Sequence, residues 1–133
     1  MSRLAFMLDA SAVLALLYDE PGGERVAAVL SQAAFINAVN WCEVLTKIED
    51  RGWPADAEFQ VRFRRVRAAL DVVPFDEAAA WTAASLRRPT RQANLSLADR
   101  SCLATARLQD VQVLTADRPW AELDVGVVVE LIR

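Results

Sequence analysis

Histidine is absent from this sequence of 133 residues. Its absence removes both the commonest acid–base side chain and the commonest transition-metal ligand of proteins. Ser-His-Asp catalysis, Cys-His catalysis, zinc sites built on histidine and histidine-driven RNA cleavage are therefore excluded. Any catalysis by this chain must depend on carboxylates, on lysine or on hard cations with oxygen ligands.

Cysteine, glycine and proline are scarce, with two, four and five residues respectively. Cys42 and Cys102 each lie within an apolar pattern typical of helices, so we expect both to be buried free thiols. No linker rich in serine and glycine, no low-complexity tract and no internal repeat interrupts the sequence. Together with a hydrophobic content of 54%, the length predicts a single domain over residues 1–133.

Long apolar runs are also missing. The longest, residues 12–17 and 125–129, are far too short to cross a bilayer, and the N-terminal segment lacks the pattern of a secretory signal. We therefore expect a cytoplasmic protein without a membrane partner. The net charge of −3 disfavours a simple nucleic-acid-binding module, since such modules usually carry an excess of basic residues.

What the sequence does contain is an alternation of short apolar strands with amphipathic helices. The predicted strands cover residues 4–9, 33–37, 72–75, 111–115 and 125–132, and the helices begin near Ser11, Gly23, Val39, Pro54, Asp76 and Ser96. Ser11 is expected to cap the first helix, and Pro54 to occupy the first turn of the fourth. Pro74 places the third strand near an edge of the sheet. The alternation predicts an α/β sandwich around a mostly parallel sheet.

Four acidic residues follow the strands closely. Asp9 ends the first strand, and Asp117 follows the strand over residues 111–115 by two positions. Glu43 lies about one turn into a helix, and Asp99 lies in the first turn of another. Ligands of open α/β sheets bind beyond the carboxyl ends of the strands, so we expect all four acids to face one cleft. Clustered carboxylates repel one another unless a cation lies among them, and Mg²⁺ or Mn²⁺ suits such oxygen ligands.

Each acid also has an alternative structural role. Asp9 could cap a helix, and Glu43 could form an ion pair with Lys47 one turn later. Asp99 has the spacing of a capping box to the serine three residues before it. Asp117 could be an ordinary turn residue. The hypothesis of a metal site therefore depends on the set of four acids and on no single one of them.

The four acids stand in stretches that resemble known motifs. These stretches are Met7-Leu-Asp9-Ala-Ser11-Ala-Val-Leu-Ala, Asn40-Trp-Cys-Glu43-Val44, Leu95-Ser-Leu-Ala-Asp99-Arg-Ser-Cys-Leu-Ala104 and Val113-Leu-Thr115-Ala-Asp117-Arg118. In order and spacing they resemble the PIN-domain family, and specifically the VapC-type toxins of bacterial and archaeal toxin–antitoxin pairs. The resemblance extends along essentially the whole chain.

The resemblance implies a PIN-like three-layer α/β/α sandwich that acts as an endoribonuclease, with Mg²⁺ or Mn²⁺ held by the four matching acids. It also implies that Ser11 and Thr115 support Asp9 and Asp117, although both hydroxyls could be ordinary cap and strand-end groups. Such toxins are homodimers held inactive by a cognate antitoxin protein. Many relatives carry a further acid soon after the last motif, whereas here the first candidate is Glu122.

Three arginines cluster in the predicted loop before the Asp99 helix, at Arg87, Arg88 and Arg91. They could attract RNA phosphates toward the acids, or they could form a charged surface loop with no such role. The candidate substrate-binding residues are therefore these arginines.

Two other functions compete with a nuclease. Phosphatases of the haloacid-dehalogenase type also have an acid after the first strand, but they carry a second aspartate where this sequence has Ser11. Neither a P-loop nor a GxGxxG motif is present. The other alternative is a PIN-like RNA-binding or regulatory module without catalysis. Degenerate modules of that kind lose acids, whereas this chain retains all four.

Overall fold

The computed structural model describes residues 4–133, so the first three residues of the domain predicted over residues 1–133 lie outside the described part. The elements are β1 (Ala5–Leu8), α1 (Ala10–Leu17), α2 (Gly23–Leu30), β2 (Ala33–Asn37), α3 (Ala38–Arg51), α4 (Ala57–Ala69), β3 (Leu70–Val73), α5 (Glu77–Ser85), α6 (Leu97–Gln109), β4 (Gln112–Thr115) and β5 (Val129–Leu131). Two short 3-10 helices cover Arg91–Ala93 and Arg118–Glu122. The predicted α/β class is confirmed.

The five strands form one parallel sheet in the order β3-β2-β1-β4-β5. Because every strand runs in the same direction, all the carboxyl ends lie at one edge of the sheet. β1 is the central strand, so Asp9, which follows it directly, lies in the middle of that edge. β3 is an edge strand of the sheet, as predicted from Pro74. The strand ends before this proline, which has no N–H to donate to a neighbouring strand.

Side chains of the central strand alternate between two apolar layers. Phe6 and Leu8 pack with α1, α2 and α4 on one face, whereas Met7 packs with α5 and α6 on the other. A strand that is covered on both faces needs apolar residues at every position, which explains the uninterrupted apolar run of β1. The helices therefore cover both faces of the sheet, and the predicted three-layer α/β/α sandwich is confirmed.

The start of α1 differs from the prediction. Asp9 is the N-cap, and its Oδ1 accepts a hydrogen bond of 2.9 Å from the backbone N–H of Ala12. The prediction that Ser11 caps this helix is wrong, because the chain enters the helix immediately after β1. Ser11 lies inside the first turn and donates its hydroxyl hydrogen to the cap residue over 2.7 Å.

The start of α4 also lies later than expected. The prediction that Pro54 occupies its first turn is wrong, since Asp56 is the N-cap and accepts a hydrogen bond of 2.7 Å from the N–H of Phe59. An aspartate carboxylate can satisfy a free N–H group of the first turn, which a proline side chain cannot do.

The two cysteines lie in different environments. Cys102 is buried, as predicted, but Cys42 is exposed, so the prediction of a buried thiol is wrong there. On α3 the buried residues include Val44 and Ile48. Cys42 precedes Val44 by two positions, and residues at that spacing do not share a helix face.

The last strand is shorter than predicted. β5 covers Val129–Leu131, whereas residues 125–132 were expected to be extended. Gly126 has a positive φ of 75°, which interrupts the extended backbone at the start of the apolar run. None of the helices between residues 4 and 133 combines the length and the apolarity needed to cross a membrane.

Candidate functional site

Asp9 lies at the centre of the carboxyl edge of the sheet and is only 6% exposed. Its Oδ1 accepts hydrogen bonds from the N–H of Ala12 over 2.9 Å and from the hydroxyl of Ser11 over 2.7 Å. Its Oδ2 accepts a hydrogen bond of 2.5 Å from the hydroxyl of Thr115. A carboxylate has about four acceptor positions, so these contacts fix its orientation and leave room for one further ligand.

Ser11 and Thr115 connect Asp9 to the segment that carries Asp117. The hydroxyl oxygen of Thr115 accepts a hydrogen bond of 3.0 Å from the backbone N–H of Asp117. The hydroxyl oxygen of Ser11 accepts one of 2.9 Å from the N–H of Ala116. The two hydroxyl oxygens lie 3.3 Å apart. The ends of β1 and β4 are therefore joined by side chains as well as by the strand pairing.

Glu43 lies in α3 and is partly buried. Its Oε1 accepts a hydrogen bond of 2.9 Å from Nδ2 of Asn40. The ion pairs of residues 4–133 join Arg25 to Glu130, Arg62 to Glu58 and Arg133 to Glu20. Glu43 is in none of them, so the alternative pair with Lys47 is not formed.

Asp99 forms the capping box that its spacing predicted. Its backbone N–H donates to the hydroxyl oxygen of Ser96 over 3.0 Å, and its Oδ2 accepts from the N–H of Ser96 over 3.1 Å. The other carboxylate oxygen, Oδ1, takes no part in the capping box. The structural role and a ligand role for Asp99 are therefore compatible, since they use different oxygen atoms.

The charges of these acids act on one another. Burial, with a smaller effect from the charge of Asp99, raises the pKa of Asp9 to about 6 in spite of its hydrogen bonds. Burial and the charge of Asp99 also raise the pKa of Asp117. The indole N–H of Trp120 lowers the pKa of Asp117, although the two groups do not meet the geometric criteria for a hydrogen bond. Asp99 therefore lies within electrostatic reach of both strand-end acids.

The buried thiol of Cys102 is affected by the charges of three of these acids. Burial raises its pKa well above the usual range, and the charges of Asp9, Asp99 and Glu43 raise it further. All three carboxylates are therefore within electrostatic reach of one buried atom. Together with the effect of Asp99 on Asp117, this puts the four predicted acids in one region of the structure, referred to below as the cleft.

The donor chemistry of the cleft fits a hard cation. Within the described range, no group of three or more Cys, Asp or Glu side chains is arranged so that it could hold a metal ion. Mg²⁺ is usually held by only one or two carboxylates, together with waters and substrate phosphates. Burial raises the pKa of Asp9 and of Asp117, and a divalent cation nearby would favour the charged form of both carboxylates.

Arg87, Arg88 and Arg91 are exposed and lie between α5 and α6. None of the three takes part in the ion pairs described above. They lie on the segment that leads into the helix carrying Asp99, but no contact joins them to the four acids in the described residues.

Asn40 and Trp120 were not among the predicted site residues. Asn40 donates a hydrogen bond to Glu43. Trp120 is fully buried, and its indole N–H lowers the pKa of Asp117. Spacing offered a signal for both, because each lies three residues from the acid on which it acts. An asparagine one turn before an acid on a helix is a candidate hydrogen-bond donor to it.

Solved structures share this fold at low sequence identity. VapBC2 from Rickettsia felis, bound to a DNA fragment from their promoter, matches with a TM-score of 0.75 and 12% identity over 96% of this chain and 98% of that chain. A toxin–antitoxin complex from Klebsiella pneumoniae matches with a TM-score of 0.71 and 17% identity over 97% and 98%. VapBC-5 from Mycobacterium tuberculosis, a member of the VapBC family of toxin–antitoxin systems, matches with a TM-score of 0.61 and 23% identity over 97% and 98%.

At these identities the structural likeness establishes a common fold. A comparison with curated proteins gives no match. The sequence model of the family described as PIN domain matches residues 6–126, which is most of the chain and includes the four acids. From the arrangement of the sheet, the position of the acids and this match, the chain belongs to the PIN domain family.

Proposed function

We propose that this chain is a metal-dependent endoribonuclease and the toxin of a toxin–antitoxin pair. The observation that carries the proposal is the state of Asp9: a buried carboxylate, fixed by three hydrogen bonds, whose pKa is raised to about 6 by burial and, to a smaller extent, by the charge of Asp99. A carboxylate in that position has a strong preference for a cation nearby. Asp9, Glu43, Asp99 and Asp117 would supply the carboxylates for Mg²⁺ or Mn²⁺, with one or two of them binding the ion directly and with waters and substrate phosphates as the other ligands.

The residues of the cleft have separate tasks in this reaction. When bound there, a divalent cation supplies the positive charge that a phosphodiester under attack and its attacking water require. Ser11 and Thr115 keep the carboxylate of Asp9 in one orientation, so that little reorganisation is needed when a ligand arrives. Asp99 would bind the cation through Oδ1, because Oδ2 is engaged in the capping box.

The role as a toxin is supported by the solved structures that share the fold. The complexes from Rickettsia felis, Klebsiella pneumoniae and Mycobacterium tuberculosis are toxin–antitoxin assemblies, and this chain covers 98% of each matched chain. We therefore propose a cognate antitoxin protein as the partner, RNA as the substrate and a homodimer as the assembly, all in the cytoplasm. The exposed Arg87, Arg88 and Arg91 are proposed to attract the RNA backbone.

The alternative function is a PIN-like module that binds RNA or regulates a partner without cleaving. A chain without catalysis has no need to keep four carboxylates around one cleft at the electrostatic cost that Asp9 and Asp117 experience. This cost favours the nuclease over the module.

The test is cleavage of a total RNA pool by the purified chain, with Mg²⁺ or Mn²⁺ and with EDTA. The variant is Asp99→Asn, which keeps an oxygen for the capping box but removes the charge. Its matched control is Asp110→Asn at the other end of α6, where the left-handed φ of 55° suits asparagine. Both variants are purified in the same way and carry the same contaminating ribonucleases. A difference in RNA cleavage between them is therefore due to the chain itself.

We expect discrete cuts by the wild type and by Asp110→Asn, and none by Asp99→Asn or in EDTA. RNA binding that persists in EDTA without any cut would support the module instead. Equal cleavage by the wild type and Asp99→Asn would contradict a nuclease based on these acids.

A further inference from the structure

Asn40 connects the helix that carries Glu43 to the helix that carries Asp99. It lies in α3, three residues before Glu43, and is only 1% exposed. Its Nδ2 donates to Oε1 of Glu43 over 2.9 Å and to the carbonyl oxygen of Ala98 over 3.1 Å. Ala98 directly precedes Asp99 in α6. One amide group therefore contacts one acid and the backbone beside another.

The amide of Asn40 can face these partners in one orientation only. The carboxylate of Glu43 and the carbonyl of Ala98 are both acceptors, so the NH₂ group must be the end that meets them. Oδ1 of Asn40 is buried and has no hydrogen-bond partner within the described residues. A buried acceptor without a partner is destabilising. Packing alone would favour an apolar side chain here, so the two donated hydrogen bonds account for the asparagine.

A second buried amide holds the backbone of Asn40. Oδ1 of Asn37 accepts a hydrogen bond of 2.9 Å from the N–H of Asn40. Nδ2 of Asn37 donates to the hydroxyl oxygen of Thr105 in α6 over 3.2 Å. Asn37 and Thr105 are both buried. The beginning of α3 is therefore tied to α6 at two points, of which only the contact made by Asn40 reaches an acid.

We infer that Asn40 is a positioning residue that holds the carboxylate of Glu43 at a fixed distance from Asp99, so that the two acids can bind one divalent cation. The inference rests on the proposed function, because the cation is the one that these acids would hold. Without Asn40, the side chain of Glu43 would keep its rotamer freedom until the cation restricted it. Groups that hydrogen-bond to metal-binding side chains typically contribute about ten- to a hundredfold to metal affinity.

The test measures binding of Mn²⁺ to the full chain without RNA, by the loss of the electron paramagnetic resonance signal of free Mn²⁺. Asn40→Ala should raise the Kd for Mn²⁺ by about ten- to a hundredfold. The control is Thr105→Val, which removes the hydroxyl that accepts from Asn37 and leaves Glu43 and Ala98 untouched. It should lower the melting temperature of the metal-free chain and leave the Kd for Mn²⁺ unchanged.

A double variant separates positioning from general destabilisation. In a Glu43→Gln background, Asn40→Ala should cause no further rise in the Kd for Mn²⁺, because Asn40 acts through Glu43. Asn40→Ser is measured in parallel, since it removes less volume and keeps the measurement possible if the alanine variant does not fold.

Three results would overturn the inference: an unchanged Kd in Asn40→Ala and Asn40→Ser, an equal rise in Thr105→Val, or an undiminished effect in the Glu43→Gln background. A wild-type chain that binds no Mn²⁺ would overturn the proposed function and this inference together. Tight binding by the wild type with no effect at Asn40 would overturn the inference alone.

Discussion

Thr115 donates a hydrogen bond of 2.5 Å to Oδ2 of Asp9, although 106 positions separate the two residues in the sequence. They meet because β1 and β4 are neighbouring parallel strands, with Leu8 opposite Leu114. The same hydroxyl oxygen accepts a hydrogen bond of 3.0 Å from the N–H of Asp117. One hydroxyl group therefore holds the carboxylate of the first acid and the backbone of the last.

Thr115→Val is predicted to impair both activity and stability. Valine has nearly the same shape but leaves Oδ2 of Asp9 and the N–H of Asp117 without this partner, which should cost about 1–3 kcal/mol of the free energy of unfolding. RNA cleavage should fall by about ten- to a hundredfold. Thr115→Ser keeps the hydroxyl and should retain most of the RNA cleavage and most of the stability. Cleavage by Thr115→Val at the wild-type rate would show that the hydroxyl does not serve the site.

Stability should depend on pH through Asp9. Burial raises its pKa from an ordinary 3.8 to about 6, so the native state binds this proton more tightly than the unfolded chain. The stabilisation of the native state by this proton is complete below about pH 4 and is lost as the pH rises through about 6. The free energy of unfolding therefore falls by about 3 kcal/mol over this range.

Asp9→Asn has no such proton to lose. We therefore compare the free energy of unfolding of Asp9→Asn with that of the wild type in EDTA. The value for the variant minus the value for the wild type should increase by about 3 kcal/mol between pH 4 and pH 7. Asp117 also has a raised pKa, but it titrates in both proteins and cancels from the comparison. Urea denaturation at the two pH values measures the difference. If the variant and the wild type change equally, Asp9 does not titrate in this range.

Metal binding should stabilise the wild type more than Asp9→Asn. A ligand at a hundred times its Kd adds about 2.7 kcal/mol to the free energy of unfolding. Asp56→Asn is the matched control, since Asp9 and Asp56 both cap helices and asparagine is an equally good N-cap. Melting temperatures with Mn²⁺ and with EDTA give the shifts. An equal shift in Asp9→Asn and Asp56→Asn would argue against Asp9 as a ligand.

Gly22→Ala should be more destabilising than backbone strain alone predicts. Gly22 has the left-handed conformation, with φ 94° and ψ −8°, which costs alanine about 1–2 kcal/mol. A Cβ at Gly22 would also lie 2.6 Å from the carbonyl oxygen of Ile132, and this overlap should add about 1–3 kcal/mol to the loss. A loss in urea denaturation no larger than the backbone strain would mean that this turn does not pack against Ile132.

Much of the fold could be predicted from local signals. The apolar run that became β1 and the polar caps at Asp76 and Ser96 each act within a few residues of the chain. The start of α1 could not be predicted in the same way. Aspartate and serine are both good N-caps, so the sequence does not show whether the helix begins after Asp9 or after Ser11.

The positions of the four acids could be predicted as a set, because each stands near the carboxyl end of a strand or the start of a helix. The spacing of Asn40 also marks its contact with Glu43, but its second contact could not be predicted, because the carbonyl of Ala98 lies 58 positions away. Contacts of that range depend on how α3 and α6 pack against each other. They follow from the three-dimensional fold and leave no pattern along the chain.

The distance in sequence between the two halves of the cleft has a consequence for how the protein is made. Asp9 and Ser11 leave the ribosome early, whereas the hydroxyl that orients Asp9 arrives 106 residues later. β1 cannot complete its pairing with β4 until residues 112–115 have been translated. A growing chain therefore carries its first acid without the partner that orients it, and an unfinished copy that lacks β4 has no assembled cleft.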